Sequence, residues 1–304
     1  MPAREESSLL ATPALTTAPL PVEDLPDIDG SYLLCREVAK EHSKTFYFAS
    51  LFLAPEKRRA VWAVYAFCRS ADDVADSSEP ATQRLAAIDN WRARLVAAYD
   101  GRPDHPLMVA FADAVRQFHI PIEPALQLLA GTRQDVVVRR YETYEELRRY
   151  CYLVASTVGL LVCPLLGYES GALKYGIELG RAMQMTNILR DIGEDARLGR
   201  IYLPAEDLQR FNYTEARLLA GTIDRDFIAL MRFQIARVRA LYEEAMPGIE
   251  LLAPSSRYTV RLALSLYRGI LAEIERNGYD VFSRRAHVPI RAKLVTAMMT
   301  ALVR

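Results

Sequence analysis

Apolar residues recur at helical spacing in nearly every segment of the chain from Ser31 onward, and the strict alternation of a half-buried strand is absent. The helix signals agree with this spacing. Pro55 suits a first helical turn and is followed by good helix formers through Asp76, and Thr143 with Glu146 three residues later matches a capping box. The pattern predicts a long loop over 197–210 and further helices over 104–118, 121–138, 214–221, 226–246, 254–278 and 289–303. We therefore predict an all-α protein of about ten helices.

The first thirty residues differ in composition from the rest. Residues 1–30 are rich in Pro, Ala, Thr, Ser and acidic residues, and they lack the basic stretch and apolar core of a secretory signal. We expect a flexible N-terminal tail over 1–30 and a single helical domain over 31–304. No run approaches the roughly 18 consecutive apolar residues that a membrane span needs.

Charge and metal-binding residue types exclude several classes of function. The formal net charge is zero and the pI is near 6.9, so nothing indicates a nucleic-acid partner. The four histidines are scattered, and the four cysteines lie inside apolar runs without CxxC spacing. This usage predicts buried, reduced thiols in a cytoplasmic protein: Cys35, Cys68, Cys151 and Cys163.

Two acidic pairs are the strongest chemical signal. Asp72 and Asp76 are four residues apart, and so are Asp191 and Asp195, so each pair shares one face of a helix. Carboxylates stacked in this way repel one another unless a cation lies between them. Two such faces opposed across a cavity would hold Mg²⁺, with Mn²⁺ as a substitute, bridging a diphosphate.

The neighbouring residues extend both acidic faces. Tyr65 and Arg69 precede the first pair at helical steps, and Asn187 and Arg190 precede the second. A lone DxxxD is more often a solvated helix face or a cap, but both pairs here follow strongly apolar stretches. The arginines would serve the non-bridging oxygens of a diphosphate. Zinc would require His or Cys, and calcium loops use a different spacing.

Four blocks, in order and at the usual spacing, resemble the squalene/phytoene synthase family: residues 42–46, 63–76, 150–159 and 184–197. The similarity covers residues 31–295 and is greatest to the bacterial phytoene synthase branch. It implies a class I isoprenoid (prenyl) synthase helical bundle with a central cavity. Residues 31–304 would then be a trans-isoprenyl diphosphate synthase-like catalytic domain.

The resemblance also assigns roles, residue by residue. It implies metal ligation by Asp72, Asp76, Asp191 and Asp195. It implies catalytic positions at Tyr65, Arg69, Tyr150 and Arg190. It implies diphosphate binding by Ser43, Lys44, Thr45, Asn187, Tyr267 and Arg284. Arg285 replaces Arg284 if the alignment shifts by one residue, and Ser156 stands where many relatives have glycine. Taken singly, Ser43 to Thr45 would be an ordinary helix start and the tyrosines core residues.

The family resemblance implies head-to-head condensation of two geranylgeranyl diphosphates to phytoene through a cyclopropyl diphosphate. The alternative is a dehydrosqualene or squalene synthase that uses farnesyl diphosphate. Nothing supports NADPH, because no GxGxxG follows a strand, although reductive relatives need no such motif. A terpene cyclase would use one acidic motif on a single substrate, and a non-catalytic scaffold would have lost carboxylates. The order and completeness of the motifs disfavour both.

Such substrates carry long hydrocarbon tails, which predict a peripheral membrane contact. The family resemblance implies a downstream carotenoid desaturase as a possible partner. Small side chains are expected at the cavity floor, where the end of a twenty-carbon tail would lie. The candidates are Ala49, Ala63, Ala66 and Ala155.

Overall fold

The computed structural model describes residues 24–302, and the regular structure in this range is helical, with one isolated β-bridge between Tyr168 and Leu252. The predicted all-α fold is therefore confirmed. Residues 1–23 of the predicted tail lie outside the described range. The side chain of Asp27 accepts a hydrogen bond from the amide of Gly30 at 2.7 Å, so the first helix begins at Ile28, inside the predicted tail.

Fourteen α-helices lie within this described range: α1 (Ile28–His42), α2 (Lys44–Ser50), α3 (Pro55–Asp76), α4 (Ala81–Tyr99), α5 (Pro106–Phe118), α6 (Ile122–Val137), α7 (Tyr144–Cys151), α8 (Thr157–Leu166), α9 (Ala172–Arg197), α10 (Ala205–Arg210), α11 (Glu215–Leu219), α12 (Arg225–Ala245), α13 (Pro254–Arg276) and α14 (Ile290–Leu302). The predicted loop over 197–210 is wrong at its end, because α10 occupies its last six residues. Pro204 precedes that helix, where a missing N–H costs nothing, and Glu206 and Asp207 suit its first turn.

A π-helical turn, Tyr152–Ser156, joins α7 and α8 into one continuous helix, Tyr144–Leu166. Among the described helices it alone is long and apolar enough to cross a membrane by length and composition. Its neighbours α6 and α9 pack on the π turn. Gly180 of α9 allows this approach, because a Cβ there would lie 2.4 Å from a backbone oxygen of the turn. The helix is therefore a core element of the bundle.

Two apolar clusters form the core. One is built from α1, α3, α4, α5, α6 and α8, and the other mainly from α7, α9, α12 and α13. The helices α3 and α9 carry the two acidic motifs. Both pack on α8 but not closely on each other. The bundle thus holds the motifs apart on two separately anchored helices.

The four cysteines are free and buried, as predicted. Ser156, at the position where glycine was expected from the resemblance, lies in the π turn. Its hydroxyl donates to the carbonyl of Ile177 in α9 at 2.7 Å. The hydroxyl therefore adds a bond between the π turn and α9 rather than loosening their packing.

Candidate active site

The first acidic motif lies at the C-terminal end of α3. Asp72 is half-buried and Asp76 is exposed, one helical turn further along. Burial raises the pKa of Asp72 to about 8, and the nearby carboxylates of Asp135, Asp76 and Asp73 act in the same direction, whereas Arg69 opposes them. Arg69 itself forms an ion pair with Asp73. The motif is thus a crowded group of carboxylates with too little positive charge among the described residues.

The second acidic motif lies in the last two turns of α9. Arg190 holds Asp191 through Nε at 2.8 Å and Nη2 at 2.5 Å, and Arg285 also binds both carboxylate oxygens. Burial opposes ionisation of Asp191, but these hydrogen bonds outweigh it and lower its pKa. Burial raises the pKa of Asp195 to about 7, with Asp191, Glu194 and Asp76 adding repulsion.

One buried guanidinium connects the two motifs. Arg200 lies 2.7 Å from Oδ1 of Asp76 and 3.7 Å from Oδ1 of Asp195. The acidic ends of α3 and α9 therefore face each other, as the opposed-pair interpretation of the sequence requires. Sequence reasoning missed Arg200, which lies in the predicted loop after the second motif. The only signal was a cation five residues beyond Asp195.

A further acidic residue, Asp135 of α6, lies beside the first motif. The hydroxyls of Tyr150 and Tyr202 donate to its two oxygens at 2.9 and 2.8 Å, and the two tyrosine rings stack with centroids 5.3 Å apart. Burial raises the pKa of Asp135 to about 6, although both tyrosine hydrogen bonds oppose this. The sequence analysis predicted Tyr150 as a site residue but missed Asp135 and Tyr202.

The segment predicted to bind phosphate lies at the junction of α1 and α2. Ser43 caps α2 by accepting from the amide of Phe46 at 3.4 Å, and its side chain lies near the hydroxyl of Tyr65. The Phe46 ring stacks on Tyr65 with centroids 4.8 Å apart. Lys44 is exposed and Thr45 is partly exposed. The segment is therefore anchored to α3 two turns before Asp72, with Lys44 facing solvent.

The remaining predicted residues divide into two groups. Asn187 of α9 has a buried Oδ1 with no hydrogen-bond partner in the described range, and Tyr267 of α13 lies near Tyr65. Arg284 is exposed, and its neighbour Arg285 is the residue that reaches Asp191. The structure thus brings Arg285, the alternative in the sequence analysis, to the second motif.

The donor set suits a hard cation. In the part of the chain that the structure describes, no three Asp, Glu, His or Cys side chains converge as a ready-made metal cluster. The carboxylates instead form two opposed pairs, and Asn187 Oδ1 is an unused oxygen one turn before Asp191. Mg²⁺ is commonly bound by one or two carboxylates together with waters and phosphate oxygens, whereas zinc prefers nitrogen and sulfur. The residues present therefore fit Mg²⁺.

Comparison with known proteins assigns the family. The family model for squalene/phytoene synthase matches residues 39–292. The chain belongs to the squalene/phytoene synthase family. Within this family it is 43% identical over 281 residues to a 15-cis-phytoene synthase of Synechocystis sp., covering 88% of this chain and 83% of the relative. It is also 43% identical to a phytoene synthase of Arthrospira platensis, covering 90% and 93%.

Solved structures of squalene/phytoene synthases and this chain share one fold. A dehydrosqualene synthase in complex with a ligand superposes with a TM-score of 0.86 at 31% identity, covering 91% of this chain and 97% of the other. The squalene synthase HpnC of Alicyclobacillus acidocaldarius superposes with a TM-score of 0.76 at 30% identity, covering 88% and 98%. The predicted isoprenoid-synthase helical bundle is confirmed.

Proposed function

We propose that this chain is a phytoene synthase, a prenyltransferase that condenses two geranylgeranyl diphosphates head to head. The observation that carries the proposal is the meeting of two acidic motifs from separate helices at Arg200. Identities of 40–43% to cyanobacterial phytoene synthases support the choice within the family. The matched residues 39–292 include both acidic motifs and the segment predicted to bind phosphate.

The two acidic pairs and the unpartnered Asn187 oxygen would hold Mg²⁺, with Mn²⁺ as a substitute. When bound, the ions would neutralise diphosphate oxygens and so favour departure of the diphosphate. The arginines supply further positive charge. Arg69, Arg190 and Arg285 now pair with aspartates, and each can transfer its N–H donors to a diphosphate oxygen when substrate enters. Exposed Lys44 would close over the diphosphate from α2.

The proposed reaction has two stages. In the first, the allylic C–O bond of one substrate breaks, the double bond of the second substrate attacks the resulting carbocation, and loss of one proton closes a cyclopropane. In the second, the cyclopropyl diphosphate ionises, rearranges and loses another proton. Overall, two diphosphates and two protons leave, and no reductant is consumed. Carbocations of this kind must be kept from water, and the two apolar core clusters supply side chains that would exclude it.

Tyr150 is held in a defined orientation beside this chemistry. Because its hydroxyl donates to Asp135, its oxygen presents lone pairs rather than a proton to the remaining side. An oxygen in that state favours nearby positive charge. We assign Tyr150 to the stabilisation of cationic intermediates and the released diphosphate to proton acceptance.

The runner-up activity is that of a dehydrosqualene or squalene synthase, which the structural neighbours favour. Product analysis after incubation with geranylgeranyl or farnesyl diphosphate, with Mg²⁺ and with or without NADPH, decides between the two. A forty-carbon phytoene formed without NADPH supports the proposal. Preferential turnover of farnesyl diphosphate to a thirty-carbon product contradicts it.

The proposal includes the setting of the enzyme. Residues 31–304 would act as one catalytic domain in the cytoplasm, in peripheral contact with a membrane that supplies substrate and receives product. Phytoene released there would reach a downstream carotenoid desaturase.

A further inference from the structure

The helix α14 turns its large apolar side chains outward and its polar and small side chains inward, the reverse of an ordinary surface helix. Its buried stripe consists of Lys293, Ala297 and Thr300, which are polar or small. Its large apolar side chains point outward and form what we call the outer face of α14: Ile290, Leu294, Val295, Met298, Met299 and Leu302. Met298 is 71% exposed and Leu302 is 77% exposed. A row of large apolar side chains on one helix face indicates a partner surface.

Contacts on the inner side fix this orientation. The Tyr258 hydroxyl of α13 donates to the carbonyl of Ala297 at 2.9 Å. Phe52, two residues after the end of α2, packs edge-on against the Tyr258 ring with centroids 5.1 Å apart. Leu51 and Phe52 are themselves 40% and 45% exposed. The apolar surface therefore continues from α14 towards the segment after α2.

The charge around α14 is one-sided. From Val281 to the C-terminus the chain carries five Lys and Arg residues and no Asp or Glu, whereas the whole chain has a net charge of zero. Arg291 is exposed beside the outer face, and Lys293 lies close enough to Lys44 for the two charges to interact. A helix with one apolar face and an exposed arginine beside it, in a segment without acidic residues, suits the surface of an anionic bilayer.

The location links this surface to the active site. Arg285 binds Asp191, and α14 begins five residues later, so the start of α14 lies within about 18 Å of the Arg285 backbone. Lys44 of the predicted phosphate-binding segment lies near Lys293. We propose that the outer face of α14 docks on an anionic lipid bilayer and presents the active-site entrance to it. The exposed face stands on its own, and only its use for delivering prenyl substrates rests on the proposed function.

Other occupants fit less well. A second copy docked about a two-fold axis would bring two cation-rich segments together, and like charges at an interface disfavour association. In an anionic bilayer, the acyl chains would bury the apolar side chains and the anionic headgroups would pair with the exposed cations. Methionine side chains, flexible and polarisable, adapt to an irregular occupant such as acyl chains.

The test is vesicle binding by the purified full chain. Phosphatidylcholine vesicles with phosphatidylglycerol should bind at least about tenfold more tightly than phosphatidylcholine alone, and added salt should weaken that binding. L294Q/M298Q should lower the partition coefficient by about tenfold or more. The matched control V137Q/L219Q removes two apolar side chains of similar exposure from α6 and α11, and should bind like the wild type.

The outcomes that overturn the proposal are distinct. Equal vesicle binding by L294Q/M298Q and the wild type would remove α14 from the docking surface. A wild-type dimer that ignores vesicles and dissociates in L294Q/M298Q would assign the face to a second copy. If the wild type is a monomer and binds neither kind of vesicle, another part of the same chain covers the outer face of α14, and the proposal is wrong.

Activity in detergent micelles separates this proposal from the proposed function. L294Q/M298Q should retain the wild-type turnover of geranylgeranyl diphosphate in micelles, because no residue of the acidic motifs changes. A wild type that binds vesicles but makes no phytoene would contradict the function and leave the docking surface intact.

Discussion

Arg285 and Asp191 form a two-point ion pair: Nε lies 2.9 Å from Oδ1 and Nη2 lies 3.1 Å from Oδ2. Arg190 binds the same carboxylate from one residue earlier in the chain. Because two arginines share one carboxylate, either can leave for a diphosphate without stranding Asp191. The ion pair therefore connects the segment before α14 to the second acidic motif. A bound diphosphate could replace Asp191 as the partner of Arg285.

Replacing Arg285 by Gln should lower kcat/KM by about 100-fold, because a donor directed at the diphosphate is lost. Replacing Arg284 by Gln should change it by less than about threefold, because Arg284, exposed like Arg285, does not contact the second motif in the structure. Steady-state kinetics on the two purified variants measure the difference. The reverse order would return the diphosphate contact to Arg284.

Asp72→Asn should lower kcat by about 100-fold or more while leaving the fold intact. Without divalent cations its melting temperature should equal or exceed that of the wild type, because a neutral amide carries no charge that burial and the neighbouring carboxylates would penalise. Calorimetry and product assays give the two quantities. Asp89→Asn on α4, which removes an exposed partner of Arg133, is the matched control and should retain activity. Wild-type turnover by folded Asp72→Asn would refute the metal assignment.

Asp191→Ala should differ from Asp72→Ala in stability although both abolish turnover. Removal of Asp191 leaves the guanidinium of Arg190 without its partner in a half-buried position, which costs about 1–3 kcal/mol. Removal of Asp72 leaves no arginine without its partner, because Arg69 pairs with Asp73. Denaturant titration of the two variants without metal should show Asp191→Ala to be the less stable one.

Metal-free protein should become less stable as the pH rises from about 4 to about 8. In this window the folded chain keeps protons on Asp72 and Asp195, whose pKa values are raised to about 8 and about 7, while the unfolded chain has lost them. Melting curves in EDTA at several pH values measure the slope. The double variant Asp72→Asn/Asp195→Asn should show a smaller decrease of melting temperature with pH. Added Mg²⁺ should raise the melting temperature of the wild type at the alkaline end of the range. A stability that increases with pH would be inconsistent with the raised pKa values.

Depletion of divalent cations should abolish turnover, and Mg²⁺ or Mn²⁺ should restore it. All the proposed ligands are oxygens, so low concentrations of a zinc-selective chelator should have no effect. Full activity after exhaustive EDTA treatment would refute the dependence.

Long helices were predictable from the sequence, and of the short ones α11 was predicted, within 214–221, whereas α10 was not. The helix α3 was bounded correctly from Pro55 to Asp76 because Pro and apolar spacing are local signals. Thr143 caps α7 as predicted, although Glu146 accepts from the amide of Glu142 rather than completing a capping box. The six-residue α10 is too short for periodicity to reveal. The π turn depends on packing between α6 and α9, which a local pattern does not encode.

The acidic site was predictable where its residues repeat along one helix. Asp135, Tyr202 and Arg200 come from α6 and from the segment after α9, and they join the motifs only through the tertiary fold. No spacing relates them to Asp72 or Asp191. The sequence also could not decide whether Arg284 or Arg285 is the residue predicted to bind diphosphate. In the structure it is Arg285 that contacts the second motif.

Asp135→Asn should lower kcat by about tenfold or more, because Tyr150 and Tyr202 would lose the carboxylate that both hydroxyls donate to. Tyr150→Phe should lower it at least as far, whereas Tyr202→Phe should have the smaller effect if Tyr202 acts only through Asp135. Kinetics on the three variants, with circular dichroism as the folding control, test this order. A fully active Asp135→Asn would show that the orientation of Tyr150 does not depend on the charge.

The four alanines considered as the cavity floor should not respond alike to enlargement. Ala63 and Ala66 are fully buried in the first core cluster, and Ala49 is buried in the second, whereas Ala155 in the π turn is partly exposed. Ala63→Phe should therefore destabilise the fold by about 1–3 kcal/mol through overpacking. Ala155→Phe should leave the melting temperature nearly unchanged.

Only Ala155→Phe should then alter the length of tail that the enzyme accepts. Each methylene excluded from an apolar site is worth about 0.8 kcal/mol, so the loss of space for five carbons can reverse the preference for geranylgeranyl over farnesyl diphosphate. Competition between the two substrates, followed by separation of the thirty- and forty-carbon products, measures the shift. If stable Ala155→Phe keeps the wild-type product ratio, the tail ends elsewhere, and the floor must be sought among other partly exposed apolar residues such as Val158 or Met183.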